Sequence, residues 1–416
     1  MPEIIVIGGG AAGMMAAIQA ARYGASVTLL ERNEKLGKKL YITGKGRCNL
    51  TNDCAGEEFL SQVARNPRFL YSALNAFAPR DMMAMLEEAG CPVTVQRGRR
   101  VFPASEKASD VTKALTGLLN RAGVRIRLNT RVTGIEAEES RVTGVRLENG
   151  QLLPADAVIL ATGGCSYPST GSTGDGFRFA EALGHTVTPP SPALVGIETA
   201  EDWPRSLQGL SLRNVTLTLT RGKKTLYSEL GEMLFTHWGV SGPLVLEASC
   251  HLPDPLTEAR LVLDLKPGLT REQLDARLRR DLADGSRKQL RNLLPGLLPA
   301  RLAELFPMLC GIPGALACNQ VTAPQREKLL DMLKALPLTP RAPRPLEEAI
   351  ITRGGVSVKE TDPGTMASRL LPNLFFAGEL IDTDAHTGGY NLQIAWATGY
   401  LAGRSAAERL TLEENP

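Results

Sequence analysis

The sequence predicts an α/β fold with an inserted region, and three features carry the prediction. The chain begins with an apolar run, a glycine-rich turn and an alanine-rich segment, which is the order of a strand, a tight turn and a helix. Two other apolar runs, beginning near residues 156 and 374, also end in glycine. Between them the hydrophobic spacing passes from that of strands to that of helices, which indicates an insert within one α/β domain.

The first predicted elements are a strand at residues 4–7 and a helix at residues 14–23. Gly8, Gly10 and Gly13 separate them at the G-x-G-x-x-G spacing. In this motif the first glycine permits a tight turn, the second lets the backbone approach a diphosphate, and the third lets the helix pack closely on the strand. The helix would then direct its free N–H groups at the phosphates.

A second strand is predicted at residues 27–30, and Glu31 follows it. A carboxylate about 20 residues beyond the glycines accepts hydrogen bonds from a ribose 2′-hydroxyl and repels a 2′-phosphate. A glycine triplet alone often marks only a turn. Strand, turn, helix, strand and acid in this order make dinucleotide binding the better interpretation.

Length and composition limit the class of protein. The chain has 416 residues, which suggests two or three domains. It is 43% hydrophobic and 22% charged, with neither a signal peptide nor an 18-residue apolar stretch, so we expect a cytoplasmic protein that does not enter a membrane. The seven cysteines include no C-x-x-C pair, and no metal site is predicted. The net charge of +3 indicates a nucleic-acid partner only if it is clustered.

A basic segment with several glycines occupies residues 35–52. Lys38 and Lys39 could neutralise a diphosphate, and Gly44 and Gly46 would let the backbone lie flat against a planar ring. The alternative is a solvated basic loop, which would be the better interpretation if no nucleotide motif preceded it.

The chain then alternates predicted helices and strands. Helices are expected over residues 66–90 and 108–121. Strands are expected in a hairpin at residues 93–101 and singly at residues 124–128, 131–136 and 142–147.

Two further junctions between strand and glycine lie far apart in the chain. The run at residues 156–161 ends at Thr162 and Gly163, whose backbone can approach a ligand at the carboxyl end of a strand. The run at residues 374–377 ends at Gly378, and residues 387–393 then begin a helix. Each junction alone could be an ordinary turn. One nucleotide motif with a closing element near the C-terminus is the pattern of an FAD domain interrupted by an insertion.

These motifs together resemble one known family. They are the glycine motif at residues 8–13, Thr-Gly-Lys-Gly-Arg-Cys-Asn at 43–49, Ala-Thr-Gly-Gly at 161–164, Gly-Glu-Met-Leu-Phe-Thr-His at 231–237, Ser-Gly-Pro at 241–243, Ala-Gly-Glu at 377–379 and Gly-Tyr-Asn-Leu at 389–392. The chain is similar over nearly its whole length to the BaiN/RdsA flavoprotein family. The resemblance implies a Rossmann-like FAD domain of the fumarate-reductase type, with an inserted pseudo-β-barrel and a small α-helical subdomain.

The resemblance also implies an oxidoreductase. Members of the family are assigned to the reduction of steroid (bile-acid) intermediates and to dihydrouridine formation in large-subunit ribosomal RNA. The implied chemistry is hydride transfer from reduced flavin to a conjugated C=C bond, with a protein acid protonating the neighbouring carbon. No second G-x-G-x-x-G motif is present, so NAD(P)H would be a transient electron donor.

The pattern and the resemblance give a set of expected FAD contacts. They are Gly8, Gly10, Ala11, Ala12, Gly13, Glu31, Arg32, Lys38, Lys39, Gly44, Gly46, Asn49, Val132, Thr162, Gly163, Gly378, Glu379, Asp382, Gly389, Asn391 and Leu392.

The insert can be divided from its own sequence. Thr270 and Gln273 form a capping box that begins a helical region, and proline-rich segments mark both ends of the insert. The expected parts are the first part of the FAD-binding domain at residues 1–192, the barrel at 193–266, the helical subdomain at 267–318, the return at 319–345 and the C-terminal part of the FAD-binding domain at 346–416.

Two residues are candidates for the catalytic acid. Cys48 follows Arg47, which could alter the acidity of the thiol, and His237 carries an imidazole, the side-chain type that titrates closest to neutral pH. Core packing is the alternative for Cys48, and a structural role is the alternative for His237. His386 precedes the glycine pair at residues 388–389, where orienting the loop is at least as good an interpretation as catalysis.

The substrate stays open between ribosomal RNA, a small enone such as a steroid intermediate, and RNA bound by a flavoprotein that is not catalytic. Residues 266–301 carry nine basic residues against four acidic ones, which favours contact with RNA phosphates. The alternative is a solvated helix face with ion pairs such as Arg277 with Asp281 and Arg280 with Asp284. The candidate RNA contacts are Arg279, Arg280, Arg287 and Arg291.

Overall fold

The computed structural model describes residues 2–54 and 56–414, which form two compact units. The discontinuous unit consists of the residues up to Ala193 and from Leu346 onward, and the insert consists of Leu194–Pro345. Met1, Ala55, Asn415 and Pro416 lie outside the described residues, and with them the first and last residues of the predicted FAD-binding domain.

The described residues form 22 strands, and several of these follow one another without an intervening α-helix. In order they are β1 (Glu3–Ile7), β2 (Ser26–Leu30), β3 (Thr51–Asn52), β4 (Val63–Arg65), β5 (Val93–Gln96), β6 (Arg100–Pro103), β7 (Arg125–Arg127), β8 (Val132–Glu138), β9 (Arg141–Leu147), β10 (Leu152–Pro154), β11 (Ala157–Leu160), β12 (Val187–Ala193), β13 (Ile197–Thr199), β14 (Ser211–Arg221), β15 (Lys224–Phe235), β16 (Gly239–Ser241), β17 (Ala259–Asp264), β18 (Leu336–Leu338), β19 (Pro340–Pro343), β20 (Ile351–Val356), β21 (Leu374–Phe376) and β22 (Asp384–Ala385).

The α-helices of the same residues are mostly short. In order they are α1 (Ala11–Arg22), α2 (Gly56–Ser61), α3 (Tyr71–Ala76), α4 (Pro79–Glu88), α5 (Ala108–Arg121), α6 (Asp175–Ala182), α7 (Trp203–Ser206), α8 (Pro243–Ser249), α9 (Arg271–Asp284), α10 (Leu290–Leu293), α11 (Ala300–Leu309), α12 (Ala323–Lys334) and α13 (Tyr390–Glu414).

A five-stranded sheet is the centre of the discontinuous unit. Its order is β21-β11-β1-β2-β7, and every pairing in it is parallel. Residues 4–7 of the central strand are all buried, as expected for a strand with helices on both faces. The three predicted junctions of strand and glycine therefore lie together at the carboxyl ends of β1, β11 and β21, where open α/β sheets bind ligands.

Helices α1 and α13 approach each other closely because both present small residues. A Cβ atom on Gly399 would lie 2.4 Å from the carbonyl oxygen of Ala12, and one on Gly403 would lie 2.2 Å from that of Ala16. The alanine-rich sequence that predicted α1 therefore also permits this helix crossing.

The insert contains a seven-stranded sheet whose two edge strands are neighbours in the chain. Its order is β18-β17-β14-β15-β16-β13-β19, so β18 and β19 are the two edges. Only Thr339 separates these edge strands in the chain. Two Cα steps span at most about 7 Å, so the two edges of the sheet must meet at this residue.

Four helices of the insert, α9 to α12, lie between β17 and β18 in the chain. α9 begins at the predicted capping box, in which Thr270 Oγ1 accepts from Gln273 N–H at 3.2 Å and Gln273 Oε1 accepts from Thr270 N–H at 3.0 Å. Leu274, Leu278 and Leu282 form its buried face, at the spacing of an amphipathic helix.

One predicted element differs from the structure. The helix expected at residues 66–90 is broken into a 3₁₀ helix (Pro67–Leu70), α3 and α4. The break precedes Pro79, because proline disfavours helical geometry at the residue before it. In the insert, β14 and β15 form a long antiparallel hairpin, whose solvent-facing polar residues hid its length in the sequence. The hairpin predicted at residues 93–101 is confirmed as β5 and β6.

Candidate functional site

The glycine turn after β1 needs glycine at its first and last positions. Gly8 has a φ of +105°, and a Cβ atom there would lie 2.5 Å from the carbonyl oxygen of Ala161. A Cβ atom on Gly13 would lie 1.8 Å from the carbonyl oxygen of Gly8. No side chain fits either space, so these two glycines bring β1, β11 and the start of α1 into direct contact.

The middle glycine of the turn faces open space. A Cβ atom on Gly10 would meet nothing within 4 Å, and no side chain caps the first turn of α1. The N–H groups that begin this helix, from Ala11 onward, are therefore available to an anion. Ala12 lies at the same helix end, where its side chain packs against Gly378.

Glu31 lies beside this turn at the end of β2 and is buried. Gly9 N–H donates to its Oε2 at 2.7 Å, while the backbone N–H and the side-chain amide of Asn33 donate to its Oε1 at 2.8 and 2.7 Å. A carboxylate has about four acceptor positions, so it retains capacity for a ribose hydroxyl. Thr130 N–H donates to Glu31 O at 2.9 Å, which brings the segment before Val132 to the same place.

An open helix N-terminus and a buried carboxylate are the two features that a dinucleotide requires here. The first suits the diphosphate and the second suits the ribose. Gly10, Ala11, Ala12, Gly13 and Glu31 therefore fit an FAD at its adenosine diphosphate end.

Two basic residues near Glu31 are bound within the protein. Arg32 NH1 donates to Thr173 Oγ1 at 2.6 Å and lies 3.1 Å from Asp175 Oδ2. Lys38 Nζ lies 3.3 Å from Glu34 Oε2, and this pair is solvent-exposed. Both cations therefore face carboxylates, and the expectation that Lys38 neutralises a diphosphate has no support in these contacts.

Lys39 begins a network that joins four distant segments. Its Nζ lies 2.7 Å from both Ser166 Oγ and Glu379 Oε2. Glu379 Oε1 accepts from Ser166 Oγ at 3.1 Å and from Thr352 N–H at 2.8 Å. Gly164 has no room for a side chain, since a Cβ atom there would lie 2.3 Å from Thr352 Oγ1. We call Lys39, Ser166, Thr352 and Glu379 the Lys39 network.

The loop at residues 43–52 contacts the start of α13. In the amide orientation that satisfies its neighbours, Asn49 accepts from Gly389 N–H at 3.0 Å. Asn52 Nδ2 donates to Gly388 O at 3.1 Å. Two predicted FAD contacts that are 340 residues apart in the chain, Asn49 and Gly389, are therefore hydrogen-bonded neighbours.

Gly44 and Gly46 take left-handed backbone conformations in this loop, with φ of +56° and +87°. A Cβ atom on Gly44 would lie 2.8 Å from Asn49 N, so this glycine packs against the protein. The equivalent position on Gly46 meets only Tyr41 O, at 3.9 Å. Gly46 is thus the one of the two whose side-chain direction is open.

The side chain of Asn391 shapes the loop before α13. Its amide donates to Ala385 O at 2.7 Å, and its Oδ1 accepts from Ala385 N–H at 3.0 Å. His386 N–H donates to Gln62 O at 2.9 Å, and its Nδ1 lies 3.3 Å from Gln62 Oε1. These contacts support a loop-orienting role for His386. Leu392 is half-buried.

The junction after β11 includes a buried hydroxyl without a hydrogen bond in the described part of the chain, Thr162 Oγ1. Gly163 has a φ of +74°, and a Cβ atom there would lie 3.1 Å from Ser172 Oγ. At the third junction, Gly378 N–H donates to Thr398 Oγ1 at 2.9 Å. The backbone at both junctions is thus held close to the glycine turn of β1.

A buried ionic cluster lies next to the third junction. Arg65 Nε is 2.5 Å from Asp382 Oδ1, and Thr188 Oγ1 donates to Asp382 Oδ2 at 3.0 Å. The carboxylate of Asp382, a predicted FAD contact, is therefore used inside the protein. Arg353 Nε lies 3.9 Å from Asp384 Oδ1. We call Arg65, Arg353, Asp382 and Asp384 the buried ionic cluster.

Asp384 is the most deeply buried carboxylate of that cluster. It is 1% exposed, and neither of its carboxylate oxygens accepts a hydrogen bond from the described residues. Burial raises its pKa to about 6, and Asp382 adds to the rise while Arg353 and Arg65 oppose it. The carboxyl group therefore holds its proton to a higher pH than an ordinary aspartate.

The two candidate acids lie in contrasting surroundings. Cys48 is fully buried in the core of the discontinuous unit, and burial raises the pKa of its thiol to about 12. A thiol that keeps its proton so firmly is a poor acid near neutral pH, so the structure argues against Cys48 and for its packing alternative. His237 is exposed, in the turn between β15 and β16 of the insert.

The predicted RNA contacts also divide into two kinds. Arg279 Nε lies 2.8 Å from Asp275 Oδ2, and Arg280 Nε lies 3.7 Å from Asp281 Oδ1. The expected pair of Arg277 with Asp281 is confirmed at 3.4 Å, while that of Arg280 with Asp284 is wrong because Arg280 faces Asp281. Arg287 and Arg291 are exposed and form no ion pair within residues 2–54 and 56–414.

Sequence patterns alone did not identify several residues of the site. Ser166 and Thr352 complete the Lys39 network, and Asn33 donates to Glu31, yet none of them belongs to a recognisable motif. Ser166 follows the Ala-Thr-Gly-Gly motif by two residues, which is the one signal that could have indicated it. Arg65 and Arg353 reach the buried ionic cluster only through the pairing of distant strands.

No group of three His, Cys, Asp or Glu side chains in the described residues is arranged to hold a metal ion. None of their helices combines the length and hydrophobicity needed to cross a bilayer.

Known proteins similar to this chain point to one family. The model of the HI0933-like protein Rossmann domain matches residues 2–405. The chain is 34% identical over 414 residues to a 3-dehydro-bile acid delta(4,6)-reductase of Clostridium scindens, covering 98% of this chain and 100% of that protein. It is 32% identical over 412 residues to a ribosomal RNA dihydrouridine synthase of Haemophilus influenzae, covering 98% and 99%.

A solved structure supports the fold. A mutated quinol fumarate reductase of E. coli superposes with a TM-score of 0.51 at 18% identity, over 100% of this chain and 71% of that one. At this identity the likeness concerns the architecture of the FAD-binding fold alone.

Proposed function

The chain belongs to the HI0933-like family, and from this premise we propose that it reduces the C5=C6 bond of uridine in large-subunit ribosomal RNA. At the coarser level it is an FAD-dependent oxidoreductase, because its full-length relatives are reducing enzymes of one flavoprotein family. Bound FAD would supply a hydride from N5 of its reduced form to an electron-poor carbon. The observation that best supports FAD binding is the open helix N-terminus at Gly10, which lies beside the buried carboxylate of Glu31.

The residues of the discontinuous unit would hold the cofactor in two places. The N–H groups at the start of α1 would bind the diphosphate, and Glu31 would bind the ribose of the adenosine. The Lys39 network and the hydrogen bond between Asn49 and Gly389 would fix the loops at the other end. We further propose NAD(P)H as a transient donor of electrons and His237 as the donor of the proton.

The preference for RNA rests on charge in the insert. A uridine in folded RNA is surrounded by phosphates, whereas a small steroid intermediate is not. The insert carries nine basic residues against four acidic ones at residues 266–301, and part of this excess is exposed without an acidic partner among the described residues. An RNA substrate would place the protein in the cytoplasm.

Reduction of a small enone is the second candidate, and one observation favours it. The relative with 34% identity is named for a reaction on a bile acid. The C5=C6 bond of uracil is conjugated with a carbonyl group in the same way as the C=C bond of a steroid enone, so both substrates need a hydride, a proton and a hydrogen bond to the developing enolate oxygen. A non-catalytic flavoprotein is not retained, because the full-length relatives are enzymes.

Mass-spectrometric mapping of dihydrouridine tests the proposed substrate. Ribosomal RNA from cells with and without this protein would be compared, with cells that carry an FAD-free variant as the control. We expect at least one dihydrouridine of the large-subunit RNA to disappear with the protein and to return with the parent chain alone. Identical maps in all three cell lines would leave the enone as the substrate class.

A further inference from the structure

The positive charges between Arg271 and Arg291 fall into two groups with different surroundings. On α9, Arg271 NH1 lies 2.7 Å from Asp331 Oδ1, and Arg279 NH2 lies 2.8 Å from Asp275 Oδ2. Arg287, Lys288 and Arg291 follow α9 and are all exposed. In the chain from residue 2 to 54 and from 56 to 414, none of these three has an acidic partner within 4 Å, and Arg291 Nε donates only to Gln289 Oε1, at 2.9 Å. We call residues 285–291 the basic loop.

The sequence around the basic loop is almost without acidic residues. From residue 285 to 326 there is a single acid, Glu304, against five basic residues. The sequence of α9, by contrast, places four acids among its four arginines, so the charges of this helix balance. The charge of the basic loop is thus left uncompensated by both its structural and its sequence neighbours.

Backbone hydrogen bonds hold the basic loop against a second segment of the insert. Cys318 N–H donates to Lys288 O at 2.9 Å, and Asn319 N–H donates to Ser286 O at 3.1 Å. From the other side, Leu290 N–H donates to Leu316 O at 2.9 Å and Arg291 N–H donates to Gly314 O at 3.1 Å. The three cations therefore project from a fixed backbone, so binding an anion would cost little ordering of the main chain.

We propose that Arg287, Lys288 and Arg291 are the residues through which the insert contacts the phosphates of its RNA substrate. This inference rests on the proposed function and makes it more specific. Guanidinium groups donate two parallel hydrogen bonds to a phosphate, and an ammonium group adds a point charge. Arg279 and Arg280 contribute less, because each would have to leave a carboxylate on its own helix before binding RNA.

Two triple variants that remove the same charge test this division. One is Arg287→Ala with Lys288→Ala and Arg291→Ala, and the other is Arg271→Ala with Arg279→Ala and Arg280→Ala. Binding of a large-subunit ribosomal RNA fragment to the holoenzyme would be measured by fluorescence anisotropy over a series of salt concentrations. FAD content and reduction by NAD(P)H, measured in both variants, would establish that each is folded.

We expect the basic-loop variant to lose about tenfold or more in RNA affinity and about 2–3 units in the slope of log K against log salt, since each lost phosphate contact removes about one unit. The α9 variant should change the slope by less than about one unit. Equal losses of RNA affinity in the two variants would show that only the net charge of the insert matters, and this would overturn the inference. Parental binding in the basic-loop variant, with RNA still reduced, would overturn it and leave the proposed function intact. A parent enzyme that reduces a small enone but neither binds nor reduces RNA would overturn both.

Discussion

The two ends of the candidate FAD site are built in different ways. At the diphosphate end, the contacts join residues close in the chain, from Gly8 to Glu31. The other end, which we call the flavin end, is assembled from the Lys39 network, the Asn49 and Gly389 pair and the buried ionic cluster, and it joins residues up to 340 positions apart. The first end is a local motif with fixed spacing. The second forms only when strands that are distant in the chain have paired.

The largest expected effect comes from the diphosphate end. Gly13→Ala would place a methyl group 1.8 Å from a carbonyl oxygen, so we expect a loss of about 3 kcal/mol or more in the free energy of unfolding, with no bound FAD. Gly10→Ala is the matched control, because its methyl group meets only open space. That variant should lose less than about 1 kcal/mol in stability yet bind FAD more weakly. Thermal unfolding measures the stability, and flavin absorbance measures the bound FAD. Parental FAD affinity in Gly10→Ala would show that the diphosphate does not bind at this turn.

Next in size is the contrast between the two candidate acids. His237→Ala should retain FAD and its reduction by NAD(P)H, yet slow substrate reduction by about 10²–10⁴-fold, the usual range for a positioned acid. Cys48→Ala should reduce substrate at nearly the parental rate, because the buried thiol with a pKa of about 12 does not release its proton. Stopped-flow oxidation of the reduced enzyme by substrate separates the steps. A parental rate in His237→Ala would place the donor elsewhere.

The buried ionic cluster predicts a dependence of stability on pH. Because the pKa of Asp384 is raised from 3.8 to about 6 in the folded protein, its contribution is fully present below about pH 4 and is lost as the pH rises through 6. The full loss is up to about 3 kcal/mol. Urea unfolding of Asp384→Asn between pH 4 and 7 should lack this term. Asp202→Asn, at an aspartate whose side chain is 88% exposed, serves as the control and should follow the parent curve.

The smallest expected effect separates two adjacent lysines. Lys39→Ala breaks a half-buried pair with Glu379 and a hydrogen bond to Ser166, so it should cost about 1–2 kcal/mol in stability and weaken FAD binding. Lys38→Ala breaks an exposed pair with Glu34 and should cost less than about 0.5 kcal/mol. Calorimetry of the apo and FAD-bound forms measures both costs. Equal effects on FAD affinity would restore the earlier expectation that both lysines neutralise the diphosphate.

These contrasts also show what the sequence could predict. Gly8, Gly10, Gly13 and Glu31 are predictable because a tight turn, a helix end and a strand end impose their spacing on neighbouring residues. The parallel sheet follows from buried runs such as residues 4–7. The partners of Glu379 are not predictable, because Thr352 reaches it only after β20 has paired with β12 and β21 with β11.

Two expectations, one in the core and one in the insert, lose support from the structure for a similar reason. Cys48 looked reactive in the sequence because Arg47 precedes it, but its burial is set by packing that no local pattern reports. Arg279 and Arg280 looked available to RNA because they stand in a basic segment. Arg279 pairs with Asp275, four residues before it, so i to i+4 spacing could have separated Arg279 from Arg287 and Arg291. The pair of Arg280 with the next residue, Asp281, does not follow from that spacing.

Anaerobic single-turnover oxidation tests the central claim, an FAD enzyme that reduces uridine in RNA, most directly. The enzyme would be reduced with one equivalent of NAD(P)H and mixed with a large-subunit ribosomal RNA fragment in the absence of oxygen. The RNA would then be digested, and the masses of its nucleosides would be measured by mass spectrometry. We predict return of the oxidised flavin spectrum together with one uridine heavier by two hydrogen atoms for each flavin oxidised. A flavin that stays reduced with RNA but is oxidised by a steroid enone would contradict the claim.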